Sequence, residues 1–160
     1  MERKTKVNAE DGKQDMVITR EFDLPLELLF KAHTDPDIFE QWMSHEYGTT
    51  KVLKLENRKY GSWGFETTDA KGNKVFGAQG VFHEYVPNRK ITRTFEVDNS
   101  PLDVQLEFLE FEELTDSTSK LTMHSVFRSA ALRDQLLQQP FEYGINMAHR
   151  RLEDIVGRLK

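Results

Sequence analysis

The sequence contains no cysteine. Disulfides, thiolate metal sites and cysteine nucleophiles are thereby excluded. No apolar run approaches the roughly 18 residues of a membrane-spanning helix. Basic residues are spread along the chain, so no concentrated face for nucleic acid is expected. The N-terminus has neither the apolar core nor the small-residue cleavage site of a secretory signal. Gly77-Ala78-Gln79-Gly80 does not satisfy the dinucleotide pattern and opens no helix. Gly61-Ser62-Trp63-Gly64 lacks the spacing of an activated serine. His33, His45, His83, His124 and His149 offer no pair at i, i+2 in a strand or i, i+4 in a helix, so no metal site is expected. These absences fit a cytoplasmic protein, monomeric or weakly dimeric, that uses no cofactor.

What is present is the balance of a soluble globular chain. Of its 160 residues, 38 % are hydrophobic and 31 % charged, with a formal net charge of -5. That length suffices for one domain with a proper core and falls short of two. Residues 1–15 are rich in charge and poor in apolar side chains, so we read them as a flexible arm. Residues 16–160 form the single domain.

Val17 to Phe22 reads as a short strand. Pro25 then opens a helix, followed by Leu26, Leu29, Phe30 and His33 at helical spacing. Thr34-Asp35-Pro36 caps and starts a second short helix through Phe39, Trp42 and Met43. From Thr49 the period becomes two. Trp63 and Phe65 share one face of a strand, Phe76 to Tyr85 forms a long one, and Val86-Pro87-Asn88-Arg89 closes a hairpin. Val104, Leu106 and Phe108 alternate in one phase, Leu109 and Phe111 in the other, which predicts a bulge near residues 108–110. Leu121, Met123, Ser125 and Phe127 return on one face. After a helical passage from Ala130 to Leu137, Pro140 starts a long helix. Its apolar stripe runs through Phe141, Ile145, Ala148, Leu152, Val156 and Leu159. Strands followed by a segregated helix make an α+β fold, with a six- to seven-stranded antiparallel sheet covered on one face by the C-terminal helix.

At this level of detail the chain resembles the activator of heat-shock-protein-90 ATPase homologue family, within the START/Bet v 1-like (SRPBCC) superfamily. The resemblance spans about residues 16–157. It rests on Ile18 to Pro25 with Leu29-Phe30-Lys31-Ala32 and Thr34-Asp35-Pro36, on Trp42, on Gly61 to Phe65 with Gly80 to Arg89, and on Gly144-Ile145. It implies a helix-grip fold, in which a curved sheet wraps the long helix around an apolar cavity. Ile145 stands where the family usually has tryptophan, and His149 where it usually has an apolar residue. Both departures are expected at the cavity wall.

Against that expected fold the candidate residues take two readings each. Trp63, Phe65, Phe82, Phe95 and Met123 either line a ligand cavity or fill the core. Trp42 either lids the cavity mouth or docks the helix pair. The hairpin at 86–89 is expected to pair Phe82 with Arg93, Gly80 with Phe95 and Glu84 with Ile91. Glu84 and Arg93 then share the face of Phe82 and Phe95, as a polar pair in the cavity or as a salt bridge at its rim. Ile145 and His149 contribute from the helix, the histidine as a ligand partner or as a boundary residue with one nitrogen in water.

Three functions follow. The first is binding of a hydrophobic or amphipathic small molecule (a lipid, an aromatic or a polyketide-like compound) without chemistry. The second is a cyclase, dehydratase or hydrolase acting on such a compound, which requires a titratable residue reaching the cavity, with Glu84 and His149 as candidates. The third is a chaperone-regulating interaction module. It is disfavoured because residues 1–15 are too short to stand for the extra N-terminal domain that such activators carry.

Overall fold

The computed structural model of the chain describes residues 3–160. One antiparallel sheet of eight strands carries the architecture: β1 (Lys6–Asn8), β2 (Asp15–Phe22), β3 (Thr49–Leu55), β4 (Ser62–Thr68), β5 (Lys74–Val86), β6 (Lys90–Val97), β7 (Gln105–Thr115) and β8 (Thr118–Val126). Their spatial order is β1-β2-β8-β7-β6-β5-β4-β3. The helices α1 (Leu26–Thr34) and α2 (Pro36–Met43) follow β2, and α3 (Ala130–Leu137) and α4 (Phe141–Gly157) end the chain. This is the helix-grip arrangement, with more strands than expected. The extra one is β1, which pairs Val7 with Ile18 at the sheet edge. Strand structure thus begins at Lys6, inside the segment read as a flexible arm, and residues 1–2 of that arm lie outside the described residues.

Local sequence explains the helix starts. The Asp35 side chain accepts from the Ile38 backbone N–H at 3.1 Å, with Pro36 at the first helical position. Ser129 caps α3 in the same way through the Leu132 N–H. Pro25 sits at the cap of α1, one residue earlier than expected, and supplies no side-chain bond.

The sheet's inner face is continuous across strands. One row runs Phe82, Arg93, Glu107, Ser125 and Met16 from β5 to β2. The next runs Tyr85, Ile91, Leu109, Met123 and Ile18. Leu29 and Phe30 of α1, Trp42 of α2, and Leu152 and Val156 of α4 close the core above these rows. The apolar stripe of α4 ends at Val156. Leu159 lies beyond the last helical residue and is exposed.

Two register details differ from expectation. No bulge interrupts β7 near residues 108–110, and its pairing with β8 is regular from Leu106 to Glu113. Gln105 and Glu107 face inward with Leu109 and Phe111, while Val104 and Leu106 are exposed on the outer face. The phase holds because the two buried polar residues are hydrogen-bonded, and a satisfied polar group is tolerated in a core. The bulge lies instead in β5. Phe82 pairs with Arg93, but Glu84 pairs with Thr92, leaving His83 as the extra residue.

Candidate functional site

The strand register decides which side chains can meet. The bulge at His83 turns Glu84 away from the face of Phe82. Its carboxylate pairs with Lys90 at 3.2 Å and accepts from the Thr92 hydroxyl at 3.4 Å, half-exposed in water. Glu84 therefore forms a surface ion pair, and the Glu84–Arg93 constellation does not exist. Arg93 has another partner. Its Nε donates to Glu107 Oε1 at 2.9 Å. Glu107 Oε2 accepts from Gln105 Nε2 at 3.0 Å and from Ser125 Oγ at 3.4 Å. Glu107 and Ser125 are buried, 4 % and 0 % exposed. A carboxylate at that depth persists only with such a set of donors.

The Arg93 guanidinium also rests on aromatic rings. Its carbon lies 4.7 Å from the centroid of Trp63 and 5.6 Å from that of Phe95. The flat, weakly hydrated cation suits such faces. Trp63 stacks on Phe65 at 6.0 Å. Its indole Nε1 is buried with no hydrogen-bond partner. Gly80, opposite Trp63 in the register, makes room for that ring. A β-carbon there would meet the Trp63 indole nitrogen and collide with the Thr94 carbonyl oxygen.

Above these residues lies a small cavity of about 20 Å³, room for roughly one water molecule. Its walls are Trp63, Phe65, Phe82, Ile91, Arg93 and Leu109 from the sheet, Val52, Lys54 and Leu55 from β3, and His33 and Phe39 from α1 and α2. The space therefore sits under the paired short helices, not under α4. Two larger grooves, a mixed one around Asn8–Val17 and a charged one around Arg3, Arg20 and Glu153, are open surface depressions without an aromatic wall.

Of the residues singled out from the sequence, Trp63, Phe65, Phe82 and Arg93 line the cavity. Phe95 lies behind Trp63 at 5.3 Å. Met123 does not line the cavity; it pairs with the wall residue Leu109 on one side and with Ile18 on the other. Trp42 docks the helices: its Nε1 donates to the Ala32 carbonyl at 2.8 Å, and Arg151 Nε of α4 donates to the Trp42 carbonyl. Ile145 is partly buried against the core and His149 is buried near β1, so neither expected wall residue of α4 reaches the cavity.

His149 belongs to a separate polar cluster. Its Nδ1 meets the Thr5 hydroxyl at 2.7 Å, and its ring packs edge-on against Phe22 at 5.4 Å. Arg20, also buried, donates to Thr5 Oγ1, Asn146 Oδ1 and Glu153 Oε2. Neither nitrogen is at the water boundary expected from the sequence, since the residue is 3 % exposed. Burial, joined by the nearby His33 and Arg20 charges, pushes its pKa down to about 3.

Sequence reasoning missed two residues. His33 continues the apolar stripe of Leu29 and Phe30 and so had to face inward. Its Nδ1–H donates to the Leu29 carbonyl at 2.9 Å, which leaves Nε2 as an acceptor. Burial holds its pKa at about 4, and the Arg93 charge adds to that effect. Glu107 was marked by the phase of Leu109 and Phe111, extended back two residues.

Among the described residues no cluster of histidine, aspartate and glutamate is placed to hold a metal ion. None of the described helices is long and apolar enough to cross a membrane.

The fold recurs in solved structures of low sequence identity. A protein from Rhodobacter sphaeroides superimposes with a TM-score of 0.87 at 17 % identity, over 97 % of this chain and 99 % of its own. One from Mycobacterium smegmatis gives 0.83 at 18 % identity, over 95 % and 96 %. One from Nitrosomonas europaea gives 0.78 at 21 % identity, over 96 % and 100 %. These likenesses speak for the fold alone. No curated protein matches the sequence. The sequence profile of the Activator of Hsp90 ATPase homolog 1-like protein family matches residues 23–157. The chain belongs to that family, and its fold is the helix-grip fold of the START/Bet v 1-like superfamily.

Proposed function

We propose that this protein binds a hydrophobic or amphipathic small molecule between the sheet and the α1–α2 pair. The observation that carries the reading is the aromatic wall of Trp63, Phe65 and Phe82 around an inward-facing, ring-stacked Arg93. Apolar walls with a few placed polar groups are the usual make-up of a ligand site. Membership of a family that commonly binds hydrophobic ligands supports it. Burial of apolar ligand surface supplies affinity at roughly 25 cal/mol per Å², and Arg93 supplies orientation.

The space seen here takes about one water molecule, far less than the roughly 300 Å³ of an ordinary ligand site. Binding therefore requires the cavity to widen. The wall strands β4 to β7 are each paired on both sides, so the side expected to give is α1–α2. The enzymatic reading has weaker support, because Glu84 faces water and His149 lies away from the cavity. The chaperone-regulating reading draws on the family name alone.

The test is a fluorescence titration with flavonoids, fatty acids and aromatic polyketides, on the wild type and on Ile91→Phe, which fills the cavity from its floor. We expect saturable binding to the wild type and at least a tenfold loss in the variant. Equal affinity for both proteins would place the ligand elsewhere and overturn the proposal.

A further inference from the structure

Arg93 is the charge closest to the cavity's aromatic floor, and it comes already neutralised. A guanidinium has five N–H donors. Here Nε is committed to Glu107, while the two Nη groups have no hydrogen-bond partner among the described residues. Glu107 in turn spends its second oxygen on Gln105 and Ser125. The pair thus offers an incoming molecule several donors and no net charge.

The other charged or titratable groups around the cavity do not alter this balance. Lys54 stands at the rim with a side chain 57 % exposed, and its ammonium lies 3.7 Å from Glu56. Water screens it from the floor. His33 is held neutral at physiological pH by its buried setting and the nearby Arg93 charge, which together outweigh its Nδ1 bond to Leu29.

We infer that Glu107 determines the specificity of this cavity, selecting ligands that present a neutral acceptor such as a carbonyl oxygen and excluding carboxylates of the same shape. The inference rests on the small-molecule reading above. A carbonyl takes the free Nη donors without adding charge, and an amphipathic ligand keeps its hydrogen bond on entering the apolar space. A carboxylate at the same place becomes a second anion beside Glu107, with one guanidinium between them and little water to screen the repulsion. Glu107 touches no ligand in this arrangement. It acts through the net charge of the Arg93 site, which a purely structural partner would not reveal.

The experiment compares two flat probes of equal shape, 2-naphthamide and 2-naphthoate, by calorimetric titration at pH 7.5 against the wild type, Glu107→Gln and Glu84→Gln. The glutamine at 107 can keep its neighbours Gln105 and Ser125 while removing the charge. We expect the wild type to prefer the amide at least tenfold. In Glu107→Gln the ratio of the two affinities should shift at least tenfold toward naphthoate, because Arg93 is then an uncompensated cation. Glu84→Gln removes the same charge on the outer face and should leave the ratio as in the wild type. Equal affinity of the two probes for the wild type overturns the inference, whether or not Glu107→Gln folds, and leaves the binding reading standing. An equal shift in both variants overturns it too, since that reports overall charge. Binding of neither probe to the wild type overturns the inference, and the panel titration above then decides the small-molecule reading separately.

Discussion

Removing the Glu107 carboxylate strands the Arg93 guanidinium in a mostly dry site, whereas removing the Glu84 carboxylate costs a solvated ion pair. The two glutamates are thus expected to separate widely in stability. Glu107→Ala should lose about 3 kcal/mol, the cost of breaking a buried pair, and Glu84→Ala less than about 1 kcal/mol. Urea unfolding of both variants measures the difference, and similar losses would mean that Glu107 is not the buried partner described here. The histidines give a second prediction at this scale. Unfolded imidazoles take up a proton near pH 6.5, while burial delays this to about 4 for His33 and about 3 for His149. Between those values the unfolded chain holds more protons, so stability is complete above pH 6.5 and falls as the pH drops through 6 and 5 toward 4. Each histidine contributes up to about 1.4 kcal/mol per pH unit in that window. Thermal unfolding of the wild type should show the fall, and His149→Gln should show a shallower one. Carbon shifts of the His33 and His149 rings should stay constant from pH 8 to pH 5. Titration of either ring in that interval would contradict its burial.

Among the elements, β1 is the one whose role exceeds its length. Three residues pair with β2, and Thr5 just before them joins His149 and Asn146 of α4. Thr5→Val keeps the shape and removes the hydroxyl that His149 and Arg20 use. It should cost about 1–3 kcal/mol through unsatisfied buried groups, read by the same urea experiment, and a neutral result would mean that water replaces the hydroxyl. No periodicity marked this strand, because its neighbours are charged and it is too short to alternate. The long elements were readable because their apolar residues repeat. The helix cap at Asp35 and the turn at 86–89 were legible from local chemistry. The bulge in β5 was not, since a single inserted residue leaves the sequence pattern of Phe82 to Tyr85 unchanged. That one residue moved Glu84 from the inner to the outer face. The β7 phase was misread for the opposite reason: polar Gln105 and Glu107 are inside, and apolar Val104 and Leu106 are outside. An apolar pattern cannot show which polar residues have partners waiting on adjacent strands. The α1–α2 pair carries its own prediction. Ligand-induced amide shifts should spread through residues 30–43, the wall that gives way, and remain small in β7 and β8.

At the scale of the whole molecule, the described residues form an eight-stranded sheet with an aromatic-walled cavity under a pair of short helices. The fold was legible because core positions and family motifs agree along most of the chain. Part of the site was legible as well, in Trp63, Phe65, Phe82 and Arg93. His33, on the apolar stripe of α1, and Glu107, in phase with Leu109 and Phe111, carried a positional signal, but their polar side chains hid it from an apolar pattern. The claim that joins these parts is that the cavity admits a small molecule. The protein offers a direct reporter, because it has two tryptophans in different settings. The Trp42 indole N–H is bonded to Ala32, and that of Trp63, on a ring that lines the cavity, is buried without a partner. Nitrogen–proton correlation spectra should be recorded while flavonoids, fatty acids and aromatic polyketides are added in turn. The Trp63 indole signal should move saturably with at least one of these compounds, with the same midpoint as the Arg93 and Phe82 amides, and should move further than the Trp42 signal. A folded protein whose Trp63 signal stays fixed across the whole panel would show a filled core in place of a binding site.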